Sequence, residues 1–233
     1  MTQPVMEAIE VAKFLGDGAG KVQALKGVSI SLTGGELALL MGPSGSGKTT
    51  LMSILGCIMS PSKGAIRVCG HSTVGLSPEE LAGVRRRYIG FVFQSYHLFP
   101  TLTALDNVRL ALDVRRERSR AFRRAQEALA AVGLSHKIKA RPHELSGGEQ
   151  QRVAIARAIV AKPTVILADE PTAALDSENG HSIMSLLAEI ASRPDCGVLV
   201  VTHDPRTLPF ADRIVRIQDG RLVGEERVTQ SAK

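Results

Sequence analysis

Hydrophobic and polar positions change period several times along the chain, and each change predicts an element. EAIEVAKFL and ALKGVSISL read as strands joined by a DGAGK turn, and a GGE turn leads into the apolar run LALLM at 37–41. TTLMSILGCI reads as a helix, GAIRVCG as a short strand, and SPEELAGVRRR as a helix that opens on a serine cap and first-turn acids. YIGFVFQ is a buried strand. From Asp106 to about Val132 the spacing turns helical, with Leu110, Val114, Phe122, Ala125, Leu129 and Val132 at mostly three- or four-residue steps. Past an LSGGEQQ turn, RVAIARAIVA is an amphipathic helix that stops at Lys162-Pro163, and TVILADE is an apolar strand ending in two acids. The last third repeats the alternation: helix SIMSLLAEIA, strand GVLVVTHD, a short helix near LPFAD, and the strand pair RIVRIQDGRLV. Strands alternating with helices predict an α/β protein with a mainly parallel sheet and helices on its faces. A helical insertion between about Gln94 and His143 interrupts it, so one domain over 1–233 has a core lobe at about 1–93 and 144–233 and a helical subdomain at about 94–143.

Composition narrows the class of protein. At 233 residues and 44% hydrophobic, the chain can bury a sizeable core, and no apolar stretch reaches the roughly 18 residues that span a bilayer. The first residues, MTQPVMEAIEVAKF, carry acids and no signal-peptide apolar block, which predicts a protein that stays in the cytoplasm unless a partner holds it at a membrane. Cys57, Cys69 and Cys196 are far apart and without metal-ligand spacing, so they read as reduced, mostly buried residues. The net charge of +6 is concentrated at Arg115, Arg116, Arg118, Arg120, Arg123 and Arg124. Without interleaved aromatics to stack bases, this segment reads as a solvated helix face, and no nucleic-acid partner is expected.

Candidate chemistry begins directly after LALLM, in GPSGSGKTTL. Gly42, Gly45 and Gly47 lack a Cβ, so the backbone around Pro43, Ser44 and Ser46 can curl its N–H groups into one concavity. The following helix aims its N-terminal donors and positive dipole end at the same point. Lys48 adds a charge for the β/γ-phosphates, and Thr49, beside Thr50, supplies a hydroxyl for Mg²⁺. The strand before and the helix after are the context this phosphate-binding motif needs. TVILADE supplies a second half: Asp169 emerges at a strand's C-terminal end, where open parallel sheets place ligands, and can hold Mg²⁺ directly or through water. Glu170, one residue on, is placed to polarise an attacking water. In LSGGEQQRVAIARA, Ser146, Gly147 and Gly148 offer a hydroxyl and bare backbone donors at a helix start, a second anion-binding end.

GPSGSGKTT, the glutamine of FVFQSYHLFP, LSGGEQQRVAIARA, VILADEPTAALD and VTHD stand in the order found in ABC-transporter ATP-binding subunits, and the chain resembles that family over nearly its whole length. The resemblance implies a P-loop NTPase with a RecA-like core, an antiparallel β subdomain and an inserted helical subdomain. It implies ATP and Mg²⁺ as ligands, with residues 42–50 as the Walker A loop and Gln94 sensing Mg²⁺ and water. Ser146, Gly147, Gly148 and Glu149 would contact ATP across a homodimer, Asp169 would serve the metal, and Glu170 would be the catalytic base. Asp176 would lie at the dimer seam and His203 on the γ-phosphate. In two places the chain departs from the family pattern. The aromatic that stacks on adenine is commonly tyrosine, and Phe14 is the match here; alanine, at Ala174, stands where serine often precedes Leu175.

The FLGDGAGKVQALKGVS opening, RRRYIGFVFQ and LTALDNV are similar to ATPases of the lipoprotein-release, macrolide-efflux and heterocyst glycolipid exporter type. That implies a peripheral subunit on the cytoplasmic face of the inner membrane, beside an integral-membrane permease. Residues 95–105, SYHLFPTLTAL, with Tyr96, Leu98, Phe99 and Leu102, are expected to form much of the groove that receives it. A DNA-repair or translation ATPase would need long coiled-coil insertions or two fused halves, and a non-hydrolysing switch would be expected to lack Glu170 or His203. A cell-division ATPase of the same subfamily stays open.

Overall fold

The computed structural model describes residues 3–228 apart from 116 and 118, so the sequence reading of Arg116 and Arg118 lies outside the described residues. The chain runs β1 (Met6–Leu15), β2 (Val22–Leu32), β3 (Glu36–Met41), α1 (Lys48–Leu55), β4 (Lys63–Val68), β5 (His71–Ser72), α2 (Pro78–Tyr88) and β6 (Ile89–Val92). It continues through α3 (Ala104–Val114), α4 (Ala121–Ala131), α5 (Gly147–Ile159), β7 (Val165–Asp169), α6 (Ser177–Ala191), β8 (Gly197–Thr202), β9 (Arg213–Gln218) and β10 (Arg221–Arg227).

The strands form two sheets. One has four strands in the order β2-β1-β4-β5, all antiparallel. The other has six, in the order β10-β9-β3-β8-β7-β6, parallel except for the β9–β10 hairpin. Every residue of β3 is buried, as expected of a strand covered on both faces. Its side chains alternate between two cores: Leu37, Leu39 and Met41 join a cluster with α3, α4, α5 and α6, while Ala38 and Leu40 join one beneath α1 and the four-stranded sheet. β7 and β8 divide in the same way, Ile166 and Val200 to the first core, Leu167 and Val201 to the second. The parallel strands therefore end together at the edge where β3 runs into the glycine loop and β7 into Asp169–Glu170.

Arg213 pins the two sheets. From β9 its Nε donates to Glu36 Oε1 at 2.6 Å, its Nη1 reaches Glu225 Oε1 at 3.1 Å, and its Nη2 donates to the carbonyl of Ser31 in the other sheet. Burial alone would raise the Glu36 carboxyl, but the hydrogen bonds from Arg213 and Thr33 hold it below the usual range. The three cysteines are free, and burial pushes the Cys57 and Cys196 thiols up to about 11.

Several boundaries differ from the sequence reading. The helix expected from Asp106 to Val132 is two helices, α3 and α4, and Arg120 before α4 adopts φ +59°. Arg115 and Arg124 are not turned to solvent. Their guanidinium groups donate to the carbonyls of Ala161 at 2.9 Å and Val160 at 3.1 Å, at the C-terminal end of α5 where cations are favoured. Of the same cluster, Arg123 makes an exposed pair with Glu127, as a solvated face would. α1 ends at Leu55, three residues short of TTLMSILGCI, where a Cβ on Gly56 would come within 2.3 Å of the Phe91 ring. α5 begins at Gly147, so GGEQQ is its first turn rather than a preceding one.

Candidate active site

A cleft of about 960 Å³ opens at the C-terminal edge of the six-stranded sheet. It is lined by Pro43, Ser44, Gly45, Gly47, Lys48, Thr49 and Thr50 from the glycine loop, and by Gln94, Asp169, Glu170 and His203 from the ends of neighbouring strands. Residues separated by more than a hundred positions thus meet because β3, β6, β7 and β8 run parallel and side by side.

The loop is shaped by its glycines. Gly45 and Gly47 take φ +78° and +103°, and a Cβ on Gly47 would meet the Ala24 carbonyl at 2.8 Å. Gly42 and Ser46 lie beneath the loop, outside the cleft lining among the described residues. A Cβ on Gly42 would strike the Ile217 carbonyl at 2.1 Å. Ser46 is 3% exposed, its carbonyl accepts from Gly220 N–H at 3.0 Å, and its hydroxyl has no partner among the described residues. Lys48 Nζ donates to the carbonyls of Gly42 at 2.7 Å and Pro43 at 2.8 Å, folding the cation back over the loop. The first-turn N–H groups of α1 have no carbonyl within the helix to bond, so loop, cation and helix end together form an anion site.

Glu170 faces this site from the end of β7 at φ +45°, in the left-handed region that favours glycine. Its Oε1 lies 2.6 Å from His203 Nδ1, its Oε2 accepts from the Thr202 hydroxyl at 3.1 Å, and its N–H donates to Val201 O at 2.8 Å. Glu170 is largely covered, whereas the His203 ring is open to the cleft. Asp169 stands beside it: burial first, then the neighbouring Glu170 charge, raises its carboxyl, and Lys48 partly offsets both. Thr202 is fully buried and also accepts the Asp204 N–H at 3.0 Å. The sequence reading missed it; a hydroxyl directly before the histidine of VTHD was the available signal.

Among the described residues, no group of three or more His, Cys, Asp or Glu side chains gathers as a metal site. Mg²⁺ does not need one, since it binds through as few as one or two carboxylates and completes its shell with neutral oxygens, phosphate and water. The Asp169 carboxylate, the Thr49 hydroxyl and the Gln94 amide share one cleft and fit that demand.

Phe14 departs from expectation. It is absent from the cleft lining among the described residues; Leu15 and Val22, paired across β1 and β2, stand there instead. The register shifts between Lys13 and Phe14, and the Phe14 ring lies under the Lys21 ammonium at 4.9 Å. The apolar wall of the cleft on this side is the aliphatic pair Leu15 and Val22.

Of the remaining predicted residues, Ser146, Gly147, Gly148, Glu149 and Asp176 are also outside the cleft among the described residues. Ser146 caps α5 through a reciprocal box: its N–H donates to Glu149 Oε2 at 2.8 Å and its hydroxyl accepts from Glu149 N at 3.3 Å. Asp176 caps α6 through its carboxylate, which accepts from the Asn179 backbone N–H at 2.9 Å and from its side-chain amide at 2.7 Å.

The ABC transporter family profile matches residues 25–173. The chain belongs to the ABC transporter family. It is an ATP-binding subunit of that family, an ATPase by class. An uncharacterised ABC transporter ATP-binding protein of Thermotoga maritima is 47% identical over 96% of this chain and 95% of its own length. The macrolide export ATP-binding/permease protein MacB of Shewanella sp. (strain W3-18-1) is 45% identical over 93% of this chain. The chain spans 33% of that relative's length. A dimeric ATP-binding cassette in a post-hydrolysis state, bound to ADP and Pi, superposes with a TM-score of 0.87 at 40% identity, covering 96% of this chain and 99% of that one.

A second hollow of about 520 Å³ lies away from the nucleotide cleft, lined by Arg85, Arg86, Phe91, Phe93, Phe99, Leu110, Val114 and Arg115 among others. Residues 95–105 give it His97 and Phe99 only; most of its wall comes from α2, β6, α3 and α5. Buried Asn107 fixes Phe99, accepting its N–H at 2.8 Å and donating to its carbonyl at 3.2 Å. Tyr96 points elsewhere. A Cβ on Gly147 would lie 3.0 Å from its hydroxyl oxygen, and Arg157 holds the Tyr96 carbonyl at 2.7 Å. No helix among the described residues is long and apolar enough to cross a membrane.

Proposed function

We propose that this chain binds and hydrolyses ATP as a head-to-tail homodimer with two ATP molecules at its seam, and that this cycle drives an integral-membrane permease. The observation that carries this reading is the division of the predicted residues. Lys48, Thr49, Gln94, Asp169, Glu170 and His203 meet in one cleft, while Ser146 to Glu149 stand outside it. A facing copy is the natural source of the missing helix end, and the dimeric form of the similar cassette supports that. Walker A residues 42–50 hold the phosphates, and Asp169, Thr49 and Gln94 would hold Mg²⁺, which when bound would supply charge neutralisation of the phosphates. Glu170 orients and deprotonates the water, kept in place by Thr202, and His203 turns from Glu170 to the γ-phosphate. Ser146, Gly147, Gly148 and Glu149 of one copy, with Asp176 at the seam, close over ATP held by the other. Leu15 and Val22, rather than Phe14, form the apolar wall for the base.

The partner reading follows from the macrolide-exporting relative, whose single chain joins an ATP-binding and a permease part. The permease part is an integral component of the inner membrane, a helix of which sits in the hollow beside Phe99, and the ATP-binding part is peripheral on the cytoplasmic face. The transported compound is a lipid, a lipoprotein or another hydrophobic molecule. Phosphate release from Mg-ATP tests the enzymatic half: the chain turns over ATP, and Glu170→Gln lowers the rate about 10²–10⁴-fold, the contribution of a general base. Unchanged turnover in that variant overturns the assignment of Glu170.

A further inference from the structure

Arg206 follows the cleft histidine by three residues and has no role in the assignments above. It lies in a 3₁₀ turn, Pro205–Phe210, that packs beside α6. Its Nε donates to both oxygens of Asp204, at 3.0 and 2.9 Å, and its backbone N–H donates to Oδ1 at 2.9 Å. Its Nη1 crosses to α6 and donates to the Ser177 hydroxyl at 2.9 Å. Ser177 directly follows Asp176, the cap of α6.

These bonds join a longer path. Asp204 N–H donates to the Thr202 hydroxyl, and that hydroxyl donates to Glu170 Oε2. Thr207 closes the turn by donating to the Asp204 carbonyl at 2.7 Å. Hydrogen bonds therefore run without a break from the Glu170 carboxylate to the first residue of α6. The guanidinium is the one member that crosses between the two elements, and its planar fork serves both ends at once. Its hold on Asp204 keeps that carboxyl below the ordinary range.

Packing between the turn and α6 is incomplete. A hollow of about 210 Å³ separates them, walled by Thr172, His181, Met184, Asp204, Arg206 and Phe210. The Thr172 hydroxyl inside it is buried and has no hydrogen-bond partner among the described residues. At the far end His181 meets the Phe210 ring edge-on, with centroids 5.0 Å apart. A close-packed joint would transmit position through its side chains; across this hollow, the exposed Arg206 guanidinium supplies a hydrogen-bonded bridge to Ser177.

We propose that Arg206 is a positioning residue that couples the start of α6, at the dimer seam, to the orientation of Glu170. When a facing copy presses on Asp176 and Ser177, the shift passes through the guanidinium to Asp204, then through Thr202 to the carboxylate. This rests on the reading of Glu170 as the base, so the wild-type protein and Glu170→Gln are measured alongside.

The experiment follows steady-state ATP hydrolysis by the full chain, with nucleotide affinity and thermal melting recorded for each variant. Arg206→Ala lowers kcat at least about tenfold, as loss of a group's alignment does, while KM stays within about twofold. Ser177→Ala breaks only the crossing bond, removes little packing, and lowers kcat in the same direction. Arg206→Lys can reach Asp204 but cannot span both partners, so it matches Ser177→Ala rather than wild type. The double variant Arg206→Ala/Ser177→Ala is no slower than Arg206→Ala alone. Full turnover in Ser177→Ala, or full rescue by lysine, overturns the coupling even where Arg206→Ala is impaired by poor folding. If Glu170→Gln keeps wild-type turnover, the reading of Glu170 fails instead.

Discussion

His203 Nδ1 and Glu170 Oε1 stand 2.6 Å apart across the mouth of the nucleotide cleft. The pair joins the ends of two adjacent parallel strands, and Thr202 takes the other carboxylate oxygen, so Glu170 is held from both sides before any phosphate arrives. His203→Ala is expected to lower turnover by about 10²–10³-fold, the cost of losing one donor at a developing charge. ATP affinity, read by nucleotide titration, should change far less, because Lys48 and the glycine loop are untouched.

The placement of Leu15 gives a second test. Phe14→Ala should leave ATP affinity within about twofold, since the ring lies outside the cleft lining among the described residues. Leu15→Tyr should tighten ATP binding by about 2–10-fold, equivalent to about 0.5–1.5 kcal/mol of stacking, and should leave inorganic triphosphate unaffected. Equal effects on both ligands would place the base elsewhere.

The proposed permease groove can be probed separately from hydrolysis if the right residue is chosen. Phe99 is 49% exposed and lines the hollow far from the phosphates, so Phe99→Glu should abolish stimulation by the permease while basal ATPase stays within about twofold. Tyr96 is a poorer probe. Its hydroxyl lies against Gly147 at the start of α5, so a charge there should depress ATPase as well.

Much of this was legible in the sequence. LALLM followed by GPSGSGKTTL predicted strand, loop and helix because glycine spacing and apolar runs are local signals, and the strand ends at Asp169 and His203 were found the same way. What depends on registration between distant strands was not. Leu15 rather than Phe14 lines the cleft, next to an irregularity in the β1 pairing. The turning of Arg115 and Arg124 onto α5 depends on carbonyls more than thirty residues away. Thr202 gains its role only once β7 and β8 are neighbours.

Asp169 links the cleft to pH. Burial and the adjacent Glu170 raise its carboxyl above the ordinary aspartate value of about 3.9. In the metal-free chain this group favours folding below its unfolded pKa, and the benefit is lost as pH rises through the folded one. Mg²⁺ requires the carboxylate, so Mg²⁺-dependent ATP affinity should begin to fall, on acidification, at a higher pH than an ordinary aspartate would give. In Asp169→Asn that pH dependence should vanish, and Mg²⁺ dependence should weaken by about tenfold or more. Titrations of nucleotide with and without Mg²⁺ across the acidic range read both.

The most direct test of the two-ATP dimer uses Glu170→Gln with size-exclusion chromatography and light scattering. The amide keeps the shape of the side chain and loses the charge that activates water, so ATP is bound and not cut. The account predicts a monomer without nucleotide, a dimer in saturating Mg-ATP, and a monomer in Mg-ADP, which lacks the phosphate that Ser146 to Glu149 of the facing copy would grip. Adding Ser146→Arg should return the ATP-bound variant to monomer. A Glu170→Gln protein that demonstrably binds ATP and stays monomeric would contradict the account.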